Sequence, residues 1–343
     1  VVMVSYHPAG RDAALYPAVQ EVKAGHWMAM RQVLAETGTW PQWTARTQVL
    51  GVIAARRNVV ELWLQEEPES IAARVMYARV VTERALEAYR DRQHAQVPGR
   101  QQHLAELVGR ARQACEKAAE LNPGDPVVPI CRLALAETDP HGHRPEHRVA
   151  PPPPELLLPH GPWGLLEAAH RLDPYSREAW HRMLRVLQVG PGSASLSQRA
   201  VAMDFARWSV SKAPSGSPLH LLPLYAHLEE YRARRDRGEI LPSLFWASEA
   251  IKPALTKAFS DWFRRCDPAT SSPTDLNHLA QALASGGFEH EAAVVFQAIG
   301  DFATPTPWQY LAHQPGQWRE AFETARSACR RQSKSPPPAG RRP

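Results

Sequence analysis

The residues best equipped for chemistry are histidines and glutamates, and they gather in two places. The stretch His141-Gly142-His143-Arg144-Pro145-Glu146-His147 offers three imidazoles and a carboxylate, donors suited to zinc or nickel. A metal site needs its ligands held at about 2.0–2.1 Å with supporting hydrogen bonds behind them. A proline-rich loop with Arg144 and Arg148 among the donors offers neither, so no metal is expected there. Farther on, Glu167 and His170, then Glu178 and His181, form two Glu-x-x-His pairs. That spacing sets both side chains on one helical face, as in di-iron sites built between helices. Glutamate and histidine are common enough in this chain that two such pairs are unremarkable. Gly190-Pro191-Gly192-Ser193 lacks the lysine of a phosphate loop. Neither a Gly-x-Ser-x-Gly elbow nor a His-Glu-x-x-His zinc helix occurs. No cofactor is implied.

The elements that would position these residues read as helices. In the stretch 276–299, Leu276, Leu279, Ala282 and Leu283 share one helical face, and after Gly286-Gly287 a second set begins with Ala292, Val295, Phe296 and Ile299. Strand signals are weak, with no Asn-Gly or Asp-Gly hairpin turns between alternating segments. The chain has 32 prolines in 343 residues, about 9%, nearly twice the usual ~5%. In a helical protein they must stand between helices, because proline offers no N–H and its ring clashes with the preceding turn. Five stops recur, at Pro68, Pro123, Pro174, Pro214 and Pro268, each followed by a Ser, Asp or Thr suited to cap the next helix. Their spacing is irregular. The eleven tryptophans fall mostly on helices, where core packing is the ordinary role. Trp40, Trp43 and Trp163 stand near helix starts, where an indole could line a groove.

Several segments then resemble the inner turn of a tetratricopeptide repeat. Gly316-Gln317-Trp318-Arg319-Glu320-Ala321 carries the glycine, aromatic and alanine of that turn, Gly25-His26-Trp27-Met28-Ala29-Met30 matches with methionine for alanine, and Gly286-Gly287-Phe288-Glu289-His290-Glu291-Ala292 matches with one residue of slip. Glycine permits the tight turn, the aromatic wedges between the helices, and alanine lets them approach. The run Gly161–Leu187 also resembles uncharacterised actinobacterial proteins of this kind, a likeness that implies no activity. The resemblance implies an all-α fold, antiparallel helix pairs stacked as an irregular α-solenoid of about six to eight units, with one helix of each unit along a concave face. On that face the repeat register puts Arg79, His181, Arg185, Tyr225, Asn277 and Gln281. His181 and Arg185, one turn apart, are the best pair to grip a carboxylate. The function implied is a non-catalytic scaffold or adaptor for a protein or peptide, with self-association as a variant of the same use. The alternative is a metal-dependent helical enzyme of a specialised biosynthetic pathway, its pocket inside the superhelix and built from Glu167, His170, Glu178 and His181.

Charge removes one function class. The net charge is +5, but the stretch 330–343 carries five basic residues and no acidic one, leaving 35 basic against 35 acidic residues. A neutral body with a short basic tail argues against nucleic acid. The four cysteines (Cys115, Cys131, Cys266, Cys329) lack metal or redox spacing and read as reduced thiols. No apolar run approaches the ~18 residues of a membrane span, and the first residues lack the basic start of a secretory signal, so a cytoplasmic protein with no membrane partner is expected. Residues 138–160 hold seven prolines and four histidines. They divide the chain into a helix-pair array at 1–137, a loop or linker at 138–160 without helix, a second array at 161–329 and a disordered basic tail at 330–343. The helices on either side of the loop are candidates to pair across it.

Overall fold

A computed structural model describes residues 4–94, 99–155, 158–189, 196–239, 242–312 and 314–332. Most of the basic tail therefore lies outside the described residues. Among these the protein is all-α, its only bridge an isolated parallel one between Ser5 and Phe302. It forms two compact units, one from Asp12 to Phe205 and one that joins residues 4–11 to residues 206–332. The histidine-rich stretch 138–155 lies within the first unit. No helix of the described residues is long and apolar enough to cross a membrane.

The first unit opens with α1 (Leu15–Ala24) and α2 (Met28–Ala35), which pack on each other. Gly25 ends α1 at φ +93°, its N–H reaching the carbonyls of Glu21 and Val22, a left-handed cap that glycine adopts without strain. The Glu21 carboxylate then accepts from the Ala29 N–H of α2 at 2.9 Å. Helices α3 (Trp40–Ala54), α4 (Val59–Glu66), α5 (Ile71–His94), α6 (Arg100–Leu121), α7 (Val127–Ala136), α8 (Trp163–Leu172) and α9 (Arg177–Val189) follow. Pro68, Pro123 and Pro174 all stand between helices, as their chemistry requires. Ser70 Oγ accepts from the Ala73 N–H, and Asp125 accepts from the Val127 N–H at 2.8 Å, capping α5 and α7.

The packing has a regular order. Each odd-numbered helix lies on the next odd one, α1 on α3, α3 on α5, α5 on α7 and α7 on α9. The even helices fill in beside them, and α3 also reaches α9. Val75, Ala78, Val81 and Ala85 of α5 meet Leu104, Val108, Ala111 and Cys115 of α6, the three-and-four spacing of an apolar helical stripe. Helices α7 and α8 do pack together across the proline-rich stretch. That stretch is not without helix: Pro145–His147 makes one 3₁₀ turn. It is held by Arg112 pairing with the buried Glu146 and by Arg144, whose guanidinium donates to the Leu135 carbonyl at 3.0 Å and the Thr138 hydroxyl at 2.9 Å. Charge pairing orders a segment that proline alone would leave irregular.

The second unit takes the end of α10 (Leu196–Lys212) from Ala206 onward, then α11 (Leu222–Asp236), α12 (Pro242–Trp246), α13 (Lys252–Lys257), α14 (Pro273–Ser285), α15 (Glu289–Ile299), the short α16 (Pro305–Trp308) and α17 (Trp318–Gln332). Helix α13 runs directly into a π-helical turn at Ala258–Phe263. Gly287, at φ +81°, turns α14 back onto α15 as the repeat-like motif there predicts. Gly316 behaves differently: it sits in a 3₁₀ turn leading into α17, without a left-handed conformation. The core is aromatic, with Trp246, Trp262, Phe296, Trp308 and Phe322 all buried. Residues 4–11 belong to this unit. The Ser5 N–H donates to the Asp301 carbonyl at 3.0 Å, and the Arg11 guanidinium donates to the carbonyls of Pro268, Ala298 and Ile299. Arg11 thereby closes the C-terminal end of α15, where a cation also meets the negative end of the helix dipole.

Candidate functional site

The expected concave-face residues lie in both units. Arg79 of α5 is wholly buried, with no exposed surface. Its two terminal nitrogens donate to the two oxygens of Glu178 on α9, at 2.6 and 2.8 Å. This is the two-pronged geometry by which arginine grips a carboxylate, and the carboxylate is the chain's own. Arg182, one turn along α9, donates to Glu83 of α5 at 2.8 Å, to Glu178 at 3.3 Å and to Glu137 beyond α7 at 3.5 Å. Three carboxylates and two guanidiniums thus meet among α5, α7 and α9. Burial works against the Glu178 charge, but Arg79 and Arg182 outweigh it and hold its pKa below the ordinary carboxylate value. Burial likewise opposes the Arg182 charge, and Glu83, Glu178 and Glu137 raise its pKa in spite of it. Gly51 of α3 faces the aliphatic stem of Arg79 so closely that any Cβ would collide with it.

The Glu-x-x-His residues are not brought together as a metal-binding set. Glu167 is exposed, and Glu178 is committed to its two arginines. His170 accepts the Tyr175 N–H through Nδ1 at 3.2 Å and packs edge-on against Trp180. Tyr175 stands at φ +60°, a strained position for a tyrosine that this bond helps to hold. His181 and Arg185 are half-buried on α9, Arg185 3.5 Å from Gln188. In the histidine-rich stretch, Asp139 accepts the Arg144 N–H at 2.8 Å and lies 3.6 Å from His147, whose pKa burial lowers. Among the described residues no group of three or more His, Cys, Asp and Glu could hold a metal ion.

The remaining three expected residues belong to the second unit, where internal bonds also occupy them. Asn277 is buried on α14. Its Nδ2 donates to the carbonyls of Pro273 and Phe302 at 2.8 and 3.1 Å, and its Oδ1 accepts from the Trp308 indole at 2.8 Å. Gln281 is buried and donates to Ser285 at 3.1 Å. Tyr225 donates its hydroxyl to Asp275 and stacks on His278, with ring centroids 3.9 Å apart.

A groove of about 510 Å³ opens in the first unit. That volume lies within the ~300–1,000 Å³ range of ligand sites. Leu34 and Ala35 of α2, Trp43 of α3, Trp63 of α4, and Pro68, Ser70 and Ala72 around the start of α5 line it, together with Arg31, Glu67 and Glu69. Its two indoles are fixed. Trp43 Nε1 donates to both oxygens of Asp125, at 3.1 and 3.3 Å, and Trp63 Nε1 donates to Glu67 at 2.9 Å. Trp27 stacks on Trp63 with planes only 4° apart. Burial raises the Asp125 pKa despite its bonds to the Val127 N–H and the Trp43 indole. Of the three tryptophans named for a groove, Trp43 lines this one. Trp163 packs against Phe205, and Trp40 is exposed at the start of α3. The sequence reading missed Arg31, Leu34 and Trp63, because nothing in their spacing reveals that α2, α4 and the α5 start converge.

In comparison with known proteins, no family model, no curated protein and no solved structure matches the chain.

Proposed function

We propose that the chain is a non-catalytic scaffold, a degenerate tetratricopeptide-like α-solenoid that binds a segment of a partner protein in the groove beside Trp43. The succession of α1, α3, α5, α7 and α9, each on the next, supports the repeat reading, since solenoid units touch chiefly their neighbours. The observation that carries the binding reading is the groove itself, an open concavity whose half-buried Trp43 indole is already held by Asp125. Preset walls lose little freedom on binding, which favours affinity. The interior charges Arg79, Glu83, Glu137, Glu178 and Arg182 are spent on one another, so recognition moves from that cluster to the α2–α4 side.

The test is a peptide-display selection on the full chain and on the Ala35→Arg variant. Ala35 is exposed, so a long side chain there blocks the groove without touching the core. The wild type is expected to enrich a common sequence pattern that the variant does not retain. No enrichment, or an identical pattern from both proteins, would overturn the proposal.

A further inference from the structure

The groove has a chemical character that narrows its occupant. Its accessible apolar surface is the half-buried Trp43 ring with Ala35, Pro68 and Ala72, Trp63 being wholly buried, and the Trp43 indole N–H is already used by Asp125. A ligand must therefore bring rigid apolar surface for the half-buried Trp43 ring rather than acceptors for its N–H. Proline meets that requirement. A polyproline II segment is extended before binding and packs its rings on aromatic side chains at little entropic cost. The edge adds a charge preference. Glu67 and Glu69 outnumber Arg31 among the lining residues, and Arg31 is already engaged by Glu67 at 3.1 Å. Glu66 stands beside them, held only by the neutral Trp27 indole at 3.5 Å. The rim thus favours a cationic neighbour to the apolar segment.

We infer that the groove binds a proline-rich segment carrying arginine or lysine, an inference that rests on the groove being the binding site. A stretch of the chain's own sequence has this composition, Ser333–Pro343, with three consecutive prolines followed by Arg341 and Arg342. It supplies the probe.

A fluorescein-labelled peptide of residues 333–343 is titrated into the full chain and followed by anisotropy. The same titration on the full chain with Arg341→Glu and Arg342→Glu removes competition from the chain's own copy of the sequence. Saturable binding by at least one host is expected. It should weaken tenfold or more when the three prolines of the peptide become alanine, when its arginines become glutamate, or when the host carries Glu69→Lys. Added salt should weaken it as well. Absence of saturable binding to both hosts overturns the inference, as does binding indifferent to the proline and charge changes. The display selection separates this failure from that of the groove. A pattern lacking proline and basic residues, yet blocked by Ala35→Arg, leaves the groove standing and removes only the proline-rich ligand.

Discussion

Both units have apolar cores, but they differ in what they bury beside them. Between α5, α7 and α9 the first buries Arg79, Glu83, Glu137 and Glu178, which pair with one another and with the largely covered Arg182. The second buries rings, with Phe296, Trp308 and Phe322 in mutual contact at centroid distances of 5.3–5.7 Å. Apolar packing is non-directional and tolerates exchange of one shape for a similar one. A buried ion pair is directional and fails when either partner is lost. The charge cluster therefore specifies which helices face each other, while the ring cluster supplies cohesion with less discrimination.

The comparison breaks most visibly at Glu178. Glu178→Ala strands Arg79 without its main partner and is expected to cost about 3–5 kcal/mol, read by urea unfolding with tryptophan fluorescence. Combining Arg79→Met with Glu178→Leu should return stability to within about 1 kcal/mol of the wild type or above it. A double variant no better than the single one would mean that the pair contributes more than mutual compensation.

Acid sharpens the same contrast. The folded pKa of Glu178 lies below its ordinary value of 4.5. Its contribution is therefore fully present above about pH 4.5 and is lost as pH falls from there through the folded pKa. The wild type should lose more stability between pH 5 and pH 3 than the Met/Leu double variant does. Equal losses would remove the cluster from the acid response.

In the aromatic interior, Phe296→Leu keeps most of the volume and should cost less than about 1.5 kcal/mol. Phe296→Ala should cost about 3–5 kcal/mol. Calorimetry of the two variants tests whether shape alone governs that core. The smallest effect is expected at the exposed pair Arg56–Glu87, 2.8 Å apart with side chains 77% and 41% exposed. Removing both partners should change stability by less than about 0.5 kcal/mol, as checked by urea midpoint. A larger loss would show that exposed charge matters here as buried charge does.

Much of the helical framework was legible from local chemistry. Pro68, Pro123, Pro174, Pro214 and Pro268 each stand between helices, because a missing N–H and a clashing ring act within one turn. Gly25 and Gly287 turn helices back for an equally local reason. Gly316 shows the limit, since the same three-residue motif entered a 3₁₀ turn instead. The candidate site was less legible. Trp43 could be named as a groove residue from its place near a helix start, but its neighbours Leu34, Trp63 and Glu69 come from three other segments.

The sequence by itself determined that this protein is helical, where several of its helices stop, and that its body carries no excess of charge. The i, i+4 pairs Arg79/Glu83 and Glu178/Arg182 are visible there as well. Only the tertiary structure decided that the two pairs meet across 99 residues, so that Arg79 grips Glu178 and Arg182 grips Glu83. Turns and caps are settled by forces that act within a few residues. The partner of a charge depends on which helices pack together, and that is a property of the whole folded unit.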